Sequence, residues 1–266
     1  LSKDQKIKSI DKIDLDYLDV DLLKNELSIS RKNKNYYLVS KSLNVSKIID
    51  DLLKLEKKLK SNKSFLSNFK LDIKIDETFL DKDHTIENLN GYLSFKNGEI
   101  IEANLDSFFT NDKKIKFTIR SLLNEKITTL YSDVAKPFVN RYEFIKGFED
   151  GNLNFHSIKK NDISNSKLII DNFKVQEVPA LAKLLTLASL QGIADLLTGE
   201  GIRFSDFEMT FSNNKNLIRI EELYAIGPAI SILMEGYVEK NELVSMRGTL
   251  VPATTINRTI SSIPLI

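Results

Sequence analysis

The sequence predicts a mainly β fold, an antiparallel meander interrupted by a few helices, at about 46–60 and 178–198. Three observations carry that expectation. Most of the 266-residue chain alternates apolar and polar side chains with period two, which gives a strand one apolar and one wet face. The alternating stretches recur every ~10–15 residues and are joined by short polar turns. No steady alternation of strand and helix is present, as a parallel doubly wound sheet would require.

Strands are expected near 13–21 and 35–42. The stretch SKIIDDLLKLEKKLK at 46–60 follows, with Ile48, Ile49, Leu52, Leu55 and Leu59 along one side. Ser46 suits its N-cap, and the lysines gathered toward its end complement the helix dipole. In KLDIKID, Leu71, Ile73 and Ile75 alternate with Lys70, Asp72, Lys74 and Asp76. Strands near 88–96 and 99–109 flank KNG at 96–98, and TND at 110–112 leads into KIKFTIR. There Ile115, Phe117 and Ile119 alternate with Lys114, Lys116, Thr118 and Arg120. A strand near 126–132 and a short helix or turn around Pro137, within 133–141, come next. Further strands are expected near 150–158, 166–175, 204–212, 216–226, 229–239 and 242–251, with turns at SNNKN 212–216 and EKNE 239–242 and a short helix at 254–261. This divides the chain into N-terminal strands plus an amphipathic helix (1–85), a β-meander (86–177), and a C-terminal region with a helical insertion and terminal strands (178–266).

The most apolar stretch is VPALAKLLTLASLQGIADLLTGEGI at 178–202. A bilayer span needs about 20 predominantly apolar residues, and here Lys183 and Asp195 leave too short an interval, itself broken by Gln191 and Gly192. Leu181, Leu184, Leu185 and Ala188 form one helical stripe, and Leu190, Ile193, Ala194 and Leu197 form a second. From Ala188 to Leu190 a helix turns by about 200°, so the stripes are out of phase. The pattern fits either a helix buried all round or two short amphipathic helices joined near Gln191 and Gly192, ending at Gly199 and Gly201.

Composition narrows function mainly by exclusion. Lys and Arg total 38 against 37 Asp and Glu, a net charge of +1, so no global field recruits nucleic acid. Without cysteine there are no disulfides, thiolate metal sites or cysteine nucleophiles. The chain starts at Leu1, and residues 1–20 lack the apolar run of a signal peptide, so the reading expects either a removed leader or one segment of a larger protein. His84 and His156 have no partner at metal-ligand spacing. GEGIRF at 199–204 lacks the third glycine of a dinucleotide loop, and SIDK (9–12) and SIKK (157–160) lack the partner motifs of a serine–lysine enzyme. Asp50 with Asp51 and Glu221 with Glu222 are adjacent and so project in different directions. The expectation is therefore no enzyme, no catalytic residue, no metal and no cofactor.

Three blocks in order, VPALAKLLTLASLQGIADLLTGEGIRF (178–204), GPAISILMEGYVE (227–239) and MRGTLVPATTINRTISSIPLI (246–266), resemble the C-terminal region of the AsmA-like envelope proteins, in particular the YhdP-type branch. NLNGYLSFKNGEIIEANLDSFF (88–109) and FEDGNLNFHSI (148–158) resemble that family's meander more loosely. The family's transmembrane anchor has no counterpart in these residues, and Thr254 and Thr255 stand where the family commonly has an aromatic residue.

The resemblance implies an elongated, bent sheet forming an open trough, in a periplasmic segment anchored to the inner membrane through a part not included here. It implies phospholipid as cargo, carried between the inner and outer membranes, both of them reached through other parts of the protein. The alternating faces then become groove candidates: Leu71, Ile73, Ile75, Leu93, Phe95, Ile115, Phe117 and Ile119, then Leu168, Ile170, Phe207, Met209, Phe211, Ile230, Ile232 and Met234. The two stripes at 181–188 and 190–197 become candidates for a helical gate across the trough. Period-two alternation also makes the closed core of any β-sandwich, so the other reading is a scaffold or assembly factor of the outer envelope with no lipid cargo.

Overall fold

The computed structural model describes residues 11–33, 35–49, 68–141, 146–177, 201–214, 217–239 and 243–252. Among these the fold is mainly β, with fourteen strands whose hydrogen-bonding order follows the sequence in one open sheet. The chain forms two compact units, residues 1–126 and 127–266, a division that falls inside the expected 86–177 meander. The first unit holds β1 (Lys12–Leu18), β2 (Lys24–Lys32), β3 (Asn35–Asn44), β4 (Asn68–Phe79), β5 (Thr85–Lys96), β6 (Glu99–Phe109), a 3-10 turn (Thr110–Asp112) and β7 (Lys114–Leu122). Strand β8 (Glu125–Ser132) straddles the division. The second unit continues with α1 (Lys136–Val139), β9 (Lys146–Lys160), β10 (Ile163–Glu177), β11 (Ile202–Asn214), β12 (Leu217–Ile226), β13 (Ile230–Glu239) and β14 (Val244–Pro252).

Paired neighbours are antiparallel, most of them across short polar turns, with one departure from the expected meander. Strands β3 and β4 pair in parallel, Leu38 opposite Ile73 and Ser40 opposite Ile75. A parallel pair needs a crossover of a dozen residues or more, and residues 45–67 supply it. The helix expected at 46–60 falls in that crossover. Its first turn is present at 46–49, where the Ile49 N–H donates to the Val45 carbonyl at 2.9 Å, and the remainder lies outside the described residues. The expected helices at 178–198 and 254–261 also lie outside them. Strand β2 was not expected from the alternation. The KNG turn forms as anticipated, with Asn97 and Gly98 both left-handed (φ 52° and 80°), the geometry that matches a hairpin to the twist of its strands.

In the second unit the alternation slips by one residue in the middle of the strands. On β10, Leu168 and Ile170 join the apolar cluster and so do Phe173 and Val175, because Asn172 takes up the extra residue at φ 54°. Beside it on β9, Asp150 and Gly151 are left-handed at φ 63° and 79°, and on β11 the apolar positions pass from Phe204 to Phe207. The three strands remain in register across the slip. They therefore bend together and keep one side apolar on both limbs of the bend. Helix α1 closes the limb beyond it. Ala135 and Val139 are buried against Phe148 and Ile202, the Ala135 N–H donates to the Gly151 carbonyl at 2.8 Å, and Pro137 occupies the first turn, where its missing N–H costs nothing.

Candidate functional site

Cross-strand pairing assembles the alternating residues of each unit into rows, since directly paired residues project to the same face. In the first unit one row runs Ile13, Ile29, Leu38, Ile73, Gly91, Leu105, Phe117 across seven strands. A second runs Tyr36, Leu71, Leu93, Ala103, Ile119. Phe69 and Phe95 stack at 4.4 Å between centroids, with Tyr36 edge-on to Phe69 at 5.4 Å. In the second unit, Leu153, Ile170, Phe207, Ala225, Ile232 and Leu250 form one row and Phe155, Leu168, Met209, Leu223 and Met234 the next. Beyond the bend, Phe173 stacks on Phe148 and on Phe204, each at 5.2 Å.

All sixteen groove candidates therefore lie on the apolar face of their own unit. Burial separates them. Ile75, Ile115, Ile119, Ile170 and Ile230 are buried, whereas the other eleven, among them Leu71, Leu93, Phe117, Leu168, Met209 and Met234, are half-buried. Ile230 is 0% exposed and sits in the same closed cluster as Phe148 and Ile202, so it is a core residue first. The helical gate candidates Leu181, Leu184, Leu185, Ala188, Leu190, Ile193, Ala194 and Leu197 lie outside the described residues.

Several contributors to the faces were not singled out in the sequence: Leu27, Ile29, Leu38, Leu89, Leu105 and Phe69 in the first unit, and Leu153, Phe155, Phe173, Phe204, Leu223 and Leu250 in the second. Most follow the same period-two pattern and could have been read from it. Phe173 and Val175 could not, because they have the opposite parity to Ile170. Asn172 was the available signal, since asparagine tolerates the left-handed conformation that shifts the phase.

The reverse faces carry ion pairs and charge-assisted hydrogen bonds. Lys41 meets Glu26 at 2.6 Å, lowering the carboxyl pKa and raising that of the ammonium. The Tyr92 hydroxyl donates to Glu102 at 2.7 Å, which raises the phenol pKa, and the Lys70 ammonium lies 4.3 Å from the Tyr92 ring centroid. In the second unit Glu208 takes Lys167 at 2.6 Å and the Tyr224 hydroxyl at 3.0 Å, and its pKa is held down by the lysine first. Asp171 is the exception. Burial and the like charge of Asp206, directly opposite on β11, raise its pKa.

At the β1–β2 turn, Asp19 organises a polar knot. Its carboxylate accepts the Asp21 and Leu23 N–H groups at 2.9 and 3.1 Å, and the Asn25 and Asn44 side-chain amides at 3.2 and 2.7 Å. Burial works against the charge, but these four donors prevail and the carboxyl pKa is lowered. Asn25, 0% exposed, also accepts the Asn44 N–H at 2.7 Å.

Among the described residues no three His, Cys, Asp or Glu side chains gather in a way that could hold a metal, and no helix is long and apolar enough to cross a membrane. His84 is tied to Asp81, its Nδ1 2.7 Å from Oδ1, within the β4–β5 turn, and His156 is exposed on β9. What the geometry offers within each unit is an apolar face on one side and a charged, polar face on the other. Comparison with known proteins returns no match to a family model, a curated protein or a solved structure.

Proposed function

We propose that this chain is a lipid-handling segment whose apolar sheet faces hold the acyl chains of phospholipid and pass it between the inner and outer membranes of the cell envelope. One observation carries the reading: apolar rows continue from strand to strand with half-buried leucine, phenylalanine and methionine side chains, while the opposite face is laced with ion pairs. Each methylene transferred from water to such a face contributes about 0.8 kcal/mol, so no catalytic group is needed to retain a lipid. The likeness of residues 178–204, 227–239 and 246–266 to AsmA-like proteins supports the same reading and a periplasmic setting. The second reading, a scaffold without cargo, draws on the closed limb of the second unit, where Phe148, Ile202 and Ile230 are at most 1% exposed.

Native mass spectrometry of gently extracted protein distinguishes the two. Lipid handling predicts co-purifying phospholipid that is lost in Phe117→Asp and retained in Lys74→Asp, a change beside Ile73 on the polar side. A folded, lipid-free wild-type protein would refute it.

A further inference from the structure

Hairpin turns are ordinarily polar, yet the β1–β2 turn presents Leu18, Val20 and Leu22 to solvent at 64%, 97% and 78% exposure. We propose that this turn is a membrane-inserting tip, docking the first unit on the surface of a phospholipid bilayer; the choice of a bilayer rests on the lipid-handling reading above. The tip is held rigid rather than left to collapse. Besides the four donors on the Asp19 carboxylate, the Asp19 N–H donates to the Leu23 carbonyl and the Leu22 N–H to the Asp19 carbonyl, each at 3.1 Å. Leu22 is fixed at φ 61°, a conformation that a branched side chain rarely adopts and that keeps it turned out with Val20.

The two carboxylates between the apolar residues are both engaged, Asp19 inside the turn and Asp21 with Lys82 of the β4–β5 turn at 2.9 Å. Three exposed apolar side chains thus alternate with carboxylates that are already engaged. A protein partner is a poor fit, because these side chains cover far less than the roughly 800 Å² per partner of a standard interface. A bilayer needs no complementary cavity, and its interface takes in apolar groups to a depth of about 5–10 Å.

The chain has no cysteine, so Val20→Cys carries a single environment-sensitive nitrobenzoxadiazole label. With phosphatidylcholine vesicles, the label should shift to the blue and brighten several-fold. In unlabelled protein, Val20→Asp should reduce co-flotation with the same vesicles by about tenfold while leaving co-purified lipid unchanged, since Val20 supports no core. An unshifted label, or flotation indifferent to Val20→Asp, overturns the proposal. So does a shift that appears on self-association without vesicles. Vesicle docking by protein that carries no lipid of its own would retain the tip and remove the lipid-handling reading.

Discussion

Replacing Ile75 and Phe117 separately by alanine tests whether the first unit's apolar face is a core or an open surface. Ile75 is 2% exposed and clusters with the buried Leu38 and Leu43, so truncation removes three carbons from a filled site. That should cost about 3 kcal/mol, within the usual range for large-to-alanine changes in cores. Phe117 stands opposite Leu105 on the same face but is only half-buried. A ring with an open side loses less, about 1 kcal/mol in lipid-free protein, because part of its area already meets water. Urea unfolding of lipid-stripped protein, followed by circular dichroism, measures both. Returning lipid should stabilise the wild type and Ile75→Ala in proportion to bound ligand and Phe117→Ala markedly less, because the lipid stabilises only the state that binds it. If Phe117→Ala costs as much as Ile75→Ala without lipid, and lipid changes neither, the face is a closed core and the reasoning fails.

Other outcomes follow from the same geometry. Asn25→Ala removes a fully buried amide and with it the acceptor of the part-buried Asn44 N–H, and should lower stability by ~1–2 kcal/mol in the same urea assay. Gly151→Val puts a Cβ 3.0 Å from that of Phe173 and 3.2 Å from Ile170 Cγ2 at a left-handed position, so a loss of about 3 kcal/mol or failure to fold is expected, read by thermal unfolding. Asp171 has a raised folded-state pKa, so the folded chain holds that proton more tightly than the unfolded one and stability falls as pH rises from the ordinary carboxylate range through the raised value. Asp171→Asn should therefore add ~0.5 kcal/mol at pH 7 and nothing at a pH low enough to protonate Asp171 in both states, measured as unfolding midpoints across that range.

Strand positions were legible because alternation of the kind seen at Leu71, Ile73 and Ile75 reports burial directly. Strand β2 escaped because KNELSISRK offers only Leu27 and Ile29 among small polar residues, and its place is fixed by partners on either side. Pairing direction is a separate matter. Nothing in the period of NYYLVSKSLN distinguishes a parallel from an antiparallel neighbour; β3 and β4 pair in parallel, and the connection between them, residues 45–67, is long enough for the crossover this requires. Among the candidate residues, face was legible and depth was not: Ile230 and Ile232 share a parity, yet only Ile230 is sealed, inside the cluster that also holds Val139 of α1 and Phe148 of β9, which are distant in sequence. The bend was written in the sequence by asparagine, aspartate and glycine at positions where a plain strand would carry a β-former, Asn172 and Asp150–Gly151 above all.

Sequential strand order also says how such a chain forms and changes. Most strands find their partner one short turn away; longer connections, residues 45–67, 133–145 and 178–201, separate β3 from β4, β8 from β9 and β10 from β11. Loop-closure entropy grows only as the logarithm of length, so these junctions are modest barriers in an otherwise local zipper. Within either unit, inserting or deleting one hairpin leaves the pairing on both sides intact and alters the apolar face by about 10 Å, the width of two strands. The reach of the face is thus a quantity that evolution, or a designer, can change in whole hairpins without redesigning any surviving contact.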